Sequence, residues 1–507
     1  MAKQAKKQPN ILIMMLDTQS AYNMSCYGYR LKTTPHIDQL GREGAVFENH
    51  FVTGGWTLPV HASIWTGRYE SGHGAGAQHE CLSPGIPMMP EIFKKAGYRT
   101  VIIASNKYCY DPTPPATAWG FDEHIEDWQV PAVEPYVPLP EEQRQGKDNR
   151  KFVGTAVDWI VKHQKKNPSQ PFLMFINIGL THDVYRAPEP FRSRFLPEGV
   201  RYDPEKHAPK GWQCLGTTGD VCPTLEQWQI QRALYDACAA AQDEGVGMLI
   251  NDLRQRRILD ETIFMVTGDH GDTQGEQIRH AYHSQNGIWE RQTKTPLVVR
   301  YPGAFKPKTR CKEIVQCCDI LPGLMDLCGI EDEEARASIQ GESFMKALRG
   351  PVREFALIEA QRAIHPMRRA WIESPSAEDL DIRYMNVWQK AARTKRYKYI
   401  WVSDGNDMLF DIVKDPEERW NIIKQKPEIA KKLMKAMEEK LMSMEQRYYM
   451  DYSRVGPQNG HRPYAHRRLA AWGLYQPGIV EAWDPDKKEP KVKPKLWPKG
   501  KEPKYFM

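Results

Sequence analysis

The sequence has no apolar run long enough to cross a membrane. A membrane-spanning helix needs about 20 consecutive apolar residues, whereas the longest such run near the start is ILIMML at 11–16. The same run is too short for a secretory signal, and no small-residue cleavage site follows it. We therefore expect a cytoplasmic protein with no membrane partner.

The sequence also lacks a strong net charge outside its two ends. The formal charge of the 507 residues is +6. Residues 1–10 contain three lysines and no acid, and residues 484–507 contain eight lysines against four acids, so the ends together carry +7 and the body between them −1. A nearly neutral body does not present the basic surface that binds nucleic acid, and we expect no nucleic-acid partner.

The composition is that of a globular protein with reduced thiols. The hydrophobic fraction of 41% is enough to bury a large core. The ten cysteines are scattered, and Cys214 and Cys222 are too far apart for a CxxC zinc knuckle. A chain of 507 residues exceeds one ordinary domain. We expect a catalytic domain over 1–350, a smaller domain over 351–450 and an extended Pro/Lys-rich arm over 451–507.

Four short apolar runs predict buried parallel strands: ILIMML (11–16), TVIIA (100–104), FLMFINIGL (172–180) and IFMVT (263–267). Segments with helical spacing alternate with them, as in 89–97 and 233–256. This alternation is typical of an α/β fold, a mostly parallel sheet flanked by helices. After 350, strands at 393–402 and 407–412 and a helix at 427–447 predict a smaller α+β subdomain.

Polar residues follow each of the four predicted strands. They are Asp17, Ser105-Asn106, Thr181-His182-Asp183 and Asp269-His270. Ligands of open α/β sheets bind at the carboxyl ends of the strands, so these side chains are expected at one edge. A carboxylate beside an imidazole favours Zn²⁺ or Mn²⁺, with Mg²⁺ or Ca²⁺ as alternatives.

The segment GGWTLPVHASIWTGR (54–68) predicts a turn that opens into a helix. Thr57 is a good N-cap residue, and Pro59 fits the first helical turn. The free N–H groups of a helix N-terminus suit a sulfate or phosphate group. Thr57 is therefore either a plain helix cap or a hydroxyl presented to an anionic ester.

These motifs together resemble the sulfatase family of the alkaline phosphatase superfamily, over about residues 9–425. The opening strand with Asp17 and its following loop is similar to the family's metal-binding start, and TLPVHASIWTGR is similar to its nucleophile motif. Further similar segments, in family order, are TTPHIDQLGREGAVFENHF, GYRTVIIASN, LTHDVY, VTGDHGD, IWERQTKTPLVV, DILPGLMDLCGI, GESFMKALRG and MLFDIVKDPEERWNI. The resemblance implies an alkaline-phosphatase-like fold and metal-dependent ester hydrolysis.

The chain departs from the family pattern where the substrate would bind. The position that is Cys or Ser in most sulfatases, and matures to formylglycine, holds Thr57, so no formylglycine is expected. The family's Arg is replaced by His61, giving a T-x-P-x-H motif similar to that of the superfamily's phosphodiesterases. Asn106-Lys107 and His283 stand where the family has other polar and cationic residues. The replacement of the family's cationic residues predicts a substrate whose reacting group is less charged than an ordinary sulfate, or differently shaped.

The resemblance implies roles for individual residues. We expect Asp17, Thr57, Asp269 and His270 to bind the metal, and Thr57 to attack sulfur or phosphorus. His182 or His283 would protonate the leaving group. His61, Asn106 and Lys107 are candidate substrate contacts. A second metal would draw its ligands from Asp183, His182, His280 and His283.

The expected substrate is a small anionic ester: a sulfate, a phosphate diester or a phosphonate. Other hypotheses are a sulfatase scaffold recruited for C–C or C–P cleavage, and a non-catalytic binding protein. The C-terminal arm favours a homo-oligomer.

Overall fold

The computed structural model describes residues 8–446 with gaps. The described ranges exclude 78–81, 83–84, 105, 110–119, 126–148, 183–184, 202, 204–205, 207–223, 278–281, 364–366 and 368–384. The expected arm at 451–507 lies outside the described residues, as do Ser105, Asp183 and His280.

The strands of the described residues form two sheets. They are β1 (Asn10–Leu16), β2 (Ala45–Phe51), β3 (Arg99–Ile103), β4 (Glu123–Ile125), β5 (Phe172–Ile178), β6 (Thr262–Gly268), β7 (Leu297–Arg300), β8 (Thr309–Gln316), β9 (Ala356–Ala360), β10 (Gln389–Arg393), β11 (Tyr397–Val402) and β12 (Met408–Asp411). The large sheet has the order β4-β3-β5-β1-β6-β7-β2-β8, and the small sheet the order β12-β11-β10-β9.

The helices cover both faces of the large sheet and one face of the small one. They are α1 (Pro35–Glu43), α2 (Thr57–Thr66), α3 (Glu70–His73), α4 (Met89–Lys95), α5 (Arg150–Lys166), α6 (Phe191–Phe195), α7 (Leu225–Gln255), α8 (Glu290–Thr293), α9 (Ile320–Cys328), α10 (Glu333–Ser338), α11 (Phe344–Ala347) and α12 (Pro427–Met442). Short 3₁₀ turns lie at Ala21–Asn23, Ser25–Tyr27, Lys107–Cys109, Leu259–Glu261 and Cys317–Asp319. None of the helices in the described ranges has the length and apolar character needed to cross a membrane.

The large sheet is parallel except for β7. Strands β1, β3, β5 and β6 pair in parallel, as the four apolar runs predict, whereas β7 runs antiparallel to both β6 and β2. Alternate residues of β1 enter two separate cores: Ile11, Ile13 and Met15 on one face, and Leu12, Met14 and Leu16 on the other. Burial on both faces explains why this strand is a continuous apolar run. The predicted fold class is confirmed.

The small antiparallel sheet and α12 lie within the segment expected to be a smaller domain; the domain boundaries at 350 and 450 stay a prediction. A buried ion cluster joins this sheet to the large one. Arg393 on β10 donates to Glu290 of α8 at 2.6–3.0 Å, and Lys398 on β11 lies 2.8 Å from Glu418. Burial opposes ionisation of Glu290, but the guanidinium of Arg393 outweighs it and lowers the pKa of this carboxyl to about 2. The two sheets are therefore connected through fully desolvated charges.

Candidate metal and nucleophile site

The site begins where β1 ends, at Asp17 and Thr18. Both are buried, and Thr18 has a φ of 63°, a left-handed conformation that costs a β-branched residue energy. Tyr235 of α7 holds this turn: its hydroxyl donates to the Thr18 carbonyl at 2.6 Å and accepts from the Ser20 N–H at 2.8 Å. The strained turn directs the Asp17 carboxylate toward the end of β6.

Asp269 and His270 follow β6 directly and meet Asp17. Asp269 Oδ1 accepts hydrogen bonds from the backbone N–H of Thr18 at 2.9 Å and of His270 at 2.8 Å. Its other oxygen, Oδ2, is buried and has no hydrogen-bond partner among the described residues. A buried carboxylate oxygen without a partner is costly unless a cation binds it. One oxygen is thus fixed by the backbone while the other faces the cluster.

These three residues fit a divalent cation. One ligand atom from each of Asp17, Asp269 and His270 lies within 4.8 Å of the others, and all three side chains are buried. Burial and the neighbouring charge of Asp17 raise the pKa of Asp269 well above its ordinary value. Burial would raise the pKa of Asp17 too, but the electrostatic influence of His182 and His270, together with the hydrogen bond from Asn106, outweighs it and lowers that pKa to about 2. Two buried carboxylates are both ionised only if a cation offsets their charges.

Thr57 is the residue of α2 that reaches this cluster. Its Oγ1 lies 3.3 Å from His270 Nε2. The prediction that Thr57 caps the helix is wrong: the cap is Trp56, which supplies no side-chain hydrogen bond, and Thr57 is the first helical residue. Pro59 lies in the first turn, as predicted. The Thr57 hydroxyl, which makes no capping hydrogen bond, therefore lies beside the candidate ligand His270.

His61 lies one turn after Thr57, on the same side of α2. Its Nδ1 is 2.8 Å from the Thr57 carbonyl, and its ring packs edge-on against Phe175 at 5.7 Å between centroids. Burial lowers the pKa of His61 to about 4, so it is neutral at pH 7. It therefore does not replace the positive charge of an arginine. The ring is fully buried and supports α2; a direct substrate contact stays a prediction.

His182 and His283 lie at the rim of the cluster. The His283 ring is 4.4 Å from that of His270 and 5.0 Å from that of His182, between centroids. His182 is partly exposed, whereas His283 is buried but not completely, with 8% of its surface exposed. The structure thus brings both predicted proton donors close to the candidate ligand His270.

Asn106 supports Asp17. Its Nδ2 donates to Asp17 Oδ2 at 3.0 Å, and its Oδ1 accepts from the Tyr108 N–H at 3.1 Å. The amide thus orients the Asp17 carboxylate; a direct contact of Asn106 with substrate stays a prediction. Lys107 begins a 3₁₀ turn, and its side chain lies outside the described residues.

The structure adds residues that sequence reasoning missed. Asn177 Nδ2 donates to Asp17 Oδ2 at 3.4 Å. The sequence predicts Thr181 at this edge, but not its contact: its Oγ1 donates to the Asp17 carbonyl at 2.6 Å. Asp272 lies 2.7 Å from His283 Nδ1. The TGDHGD motif contains Asp272, but nothing in the sequence indicates which side chain it would meet.

Two family models match the chain. The model described as Sulfatase matches residues 9–330, and the model described as N-sulphoglucosamine sulphohydrolase, C-terminal, matches residues 278–447. The chain is 26% identical over 432 residues to an ulvan-active sulfatase of Formosa agariphila, covering 83% of this chain and 78% of that protein. It is also 26% identical over 454 residues to arylsulfatase K of Bos taurus, covering 84% and 80%.

Solved structures of the same fold include two phosphonate monoester hydrolases. The one from Agrobacterium radiobacter has a TM-score of 0.65 at 17% identity and covers 86% of this chain and 96% of that chain. The one from Silicibacter pomeroyi has a TM-score of 0.65 at 21% identity and covers 87% and 96%. At these identities the likeness concerns the fold.

Proposed function

Because this chain belongs to the sulfatase family of ester hydrolases, we propose that it cleaves a sulfate, phosphate-diester or phosphonate ester with Thr57 as its nucleophile. One observation carries the proposal. The Thr57 hydroxyl lies 3.3 Å from His270, at the N-terminus of α2 and beside the buried carboxylates of Asp17 and Asp269. A nucleophile, metal ligands and an anion-binding helix end therefore meet at one place.

Asp17, Asp269 and His270, together with Thr57, would hold the cation, and their mixed oxygen and nitrogen donors favour Zn²⁺ or Mn²⁺. When bound, such a cation lowers the pKa of the Thr57 hydroxyl and offsets charge on a nonbridging oxygen of the ester.

Individual residues of the chain then have separate roles in the reaction. The first-turn N–H groups of α2 orient the anionic group, since Trp56 does not cap them with a side chain. Thr57 loses its hydroxyl proton to solvent and its Oγ1 attacks sulfur or phosphorus in line with the leaving group, so that a covalent Thr57 ester forms as the bond to the leaving oxygen breaks. His182 or His283 gives a proton to the departing oxygen. Water then cleaves the Thr57 ester and restores the hydroxyl.

The charge of the site favours an ester with a single negative charge. His61, which takes the place of the family's Arg, is neutral at pH 7 because burial lowers its pKa to about 4. Sulfate esters, phosphate diesters and phosphonate monoesters carry one negative charge at this pH. A phosphate monoester carries about 1.5 to 2. We therefore propose that the enzyme discriminates against phosphate monoesters.

The test compares four substrates in one assay. Purified full-length protein is supplied with Zn²⁺ or Mn²⁺ and given p-nitrophenyl sulfate, bis(p-nitrophenyl) phosphate, p-nitrophenyl phenylphosphonate and p-nitrophenyl phosphate. We expect turnover of at least one of the first three and the slowest turnover for the last. Thr57→Ala should abolish turnover, whereas Thr66→Ala, the same change at the other end of α2, should retain turnover. Equal turnover by wild type and Thr57→Ala would remove Thr57 from the nucleophile role.

A further inference from the structure

Asp272 lies two residues beyond His270 and uses both of its carboxylate oxygens. Oδ1 is 2.7 Å from His283 Nδ1, and Oδ2 accepts a hydrogen bond from the Tyr185 hydroxyl at 2.5 Å. Asp272 and Tyr185 are fully buried, and His283 is 8% exposed. The three side chains therefore form a chain that runs from the interior to the rim of the site.

The contact with Asp272 determines how His283 is presented. A carboxylate accepts, so the proton of the shared hydrogen bond belongs to Nδ1 of His283. The other ring nitrogen, Nε2, then points away from Asp272. The ring lies between those of His270 and His182, at 4.4 and 5.0 Å. Tyr185 in turn packs edge-on against Tyr235, which holds the Thr18 turn, at 5.2 Å between centroids.

We propose that Asp272 and Tyr185 are positioning residues that orient His283 as the proton donor to the leaving group. The inference rests on the proposed function and selects one of its two candidate donors. In this role His283 enters the reaction with a proton on each ring nitrogen. As the bond from sulfur or phosphorus to the leaving oxygen breaks, the Nε2 proton passes to that oxygen, and the Nδ1 proton stays in the hydrogen bond to Asp272. In the second step the same Nε2 takes a proton from the water that cleaves the Thr57 ester, and Thr57 Oγ1 regains its proton from solvent, so the enzyme returns to its starting state.

A shared cation is the alternative explanation for this cluster, since ligand atoms of His270, Asp272 and His283 lie within 4.8 Å of one another. The same contacts have the geometry of a hydrogen-bonded chain: the 2.7 Å contact is a normal charge-assisted hydrogen bond, and the Tyr185 hydroxyl donates to the second oxygen of Asp272. A count of bound metal in the wild type and in Asp272→Asn separates the two explanations.

The test uses leaving groups of different acidity. A p-nitrophenolate departs without a proton, whereas an unsubstituted phenolate needs one, so the p-nitrophenyl and phenyl esters of the preferred acid are compared. In Asp272→Asn and in His283→Gln, kcat for the phenyl ester should fall about 100-fold or more. For the p-nitrophenyl ester, kcat should fall less than about tenfold, and KM should change little for either ester. The double variant should be no worse than His283→Gln alone, because the two residues act as one unit.

Tyr185→Phe has a matched control. This variant should also lose more activity on the phenyl ester than on the p-nitrophenyl ester, but by a smaller factor than Asp272→Asn, since Asp272 keeps its contact with His283. Tyr29→Phe removes an equivalent tyrosine-to-aspartate hydrogen bond, the one at 2.7 Å to Asp236, away from His283. Its ratio of phenyl to p-nitrophenyl turnover should equal that of the wild type.

The possible failures are distinguishable. If the wild type hydrolyses the esters but Asp272→Asn slows both leaving groups equally, the positioning role is overturned and the hydrolase assignment stands. A second metal equivalent that Asp272→Asn removes would also overturn it. If the wild type hydrolyses no ester, the proposed function and this donor role fail together. Nitrogen-15 NMR of the imidazoles then still tests the hydrogen bond between His283 and Asp272. If the signal of the protonated Nδ1 of His283 is the same in Asp272→Asn as in the wild type, this hydrogen bond is contradicted.

Discussion

Asp269 Oδ1 accepts a hydrogen bond from the backbone N–H of Thr18 at 2.9 Å, which ties the end of β6 to the end of β1 across 251 residues of sequence. The other oxygen of this carboxylate, Oδ2, is buried without a hydrogen-bond partner among the described residues. Because the backbone fixes one oxygen of Asp269, the other could bind a cation without a further loss of side-chain freedom.

The first prediction concerns metal removal. A chelator should abolish ester hydrolysis, and Zn²⁺ or Mn²⁺ should restore it. Saturating metal at 100 times its Kd should stabilise the wild type by about 2.7 kcal/mol. Asp269→Asn should not be stabilised by metal. Without metal it should unfold no more easily than the metal-free wild type, because it removes one of two buried carboxylates. Thermal unfolding with and without metal measures both; a large loss of metal-free stability in Asp269→Asn would contradict the account.

The second prediction concerns Asn106. Asn106→Ala removes the 3.0 Å hydrogen bond to Asp17 Oδ2 and should weaken metal binding about 10-fold to 100-fold. Asn49→Ala is the control, since Asn49 donates at 2.9 Å to the Lys312 carbonyl on the exposed edge of the large sheet. Calorimetric titration with Zn²⁺ measures both affinities. Equal affinity in Asn106→Ala and wild type would show that the bond does not orient Asp17.

The third prediction concerns the ion cluster between the two sheets. Glu290→Gln leaves Arg393 buried without its charged partner and should cost about 3–5 kcal/mol of unfolding free energy. Asp158→Asn, which breaks an exposed pair with Lys162, should cost about 0.5 kcal/mol or less. Urea denaturation gives both values, and similar losses in the two variants would contradict the role of the cluster.

The same cluster predicts a pH dependence. The pKa of Glu290 is lowered from 4.5 to about 2 in the folded protein, so its stabilisation is fully present above pH 4.5 and is lost as the pH falls toward 2. The stability difference between wild type and Glu290→Gln should therefore shrink on acidification. A difference that stays constant from pH 7 to pH 3 would exclude this linkage.

The fourth prediction concerns Gly55. A Cβ at this position would lie 1.7 Å from the Gly287 carbonyl oxygen, so Gly55→Ala must displace backbone beside the site. Gly179→Ala is the matched change, because its Cβ would meet nothing closer than 3.7 Å. We expect Gly55→Ala to lose several kcal/mol of stability together with activity, and Gly179→Ala to fold with little loss. Comparable melting temperatures for the two variants would contradict the close approach.

The sequence predicts the scaffold better than the side-chain contacts. The parallel strands β1, β3, β5 and β6 are recognisable because a strand buried on both faces is a continuous apolar run. The polar residues that come after these strands, including Asp17 and Asp269, are then predicted to lie at one edge of the sheet. Strand β7, a four-residue stretch that runs antiparallel, has no such signal.

Contacts between distant segments could not be predicted in the same way. Local sequence rules make Thr57 a helix cap, and only the resemblance to the family predicts its hydroxyl near His270. The pairing of His283 with Asp272, and of Glu290 with Arg393 across 103 residues, depends on how loops pack rather than on a periodic pattern. Side chains of this kind are specified by tertiary packing, which local sequence rules do not describe.

The metal content of the purified protein decides whether Asp17, Asp269 and His270 form a metal site. Full-length wild type, stripped of metal and then equilibrated with Zn²⁺ or Mn²⁺, should retain one equivalent per chain after gel filtration, as measured by mass spectrometry of the elements. Asp17→Asn and Asp269→Asn should retain far less under the same conditions. A wild-type protein that holds no stoichiometric metal, and takes up none when it is added, would contradict the assignment of this site and of the hydrolase that depends on it.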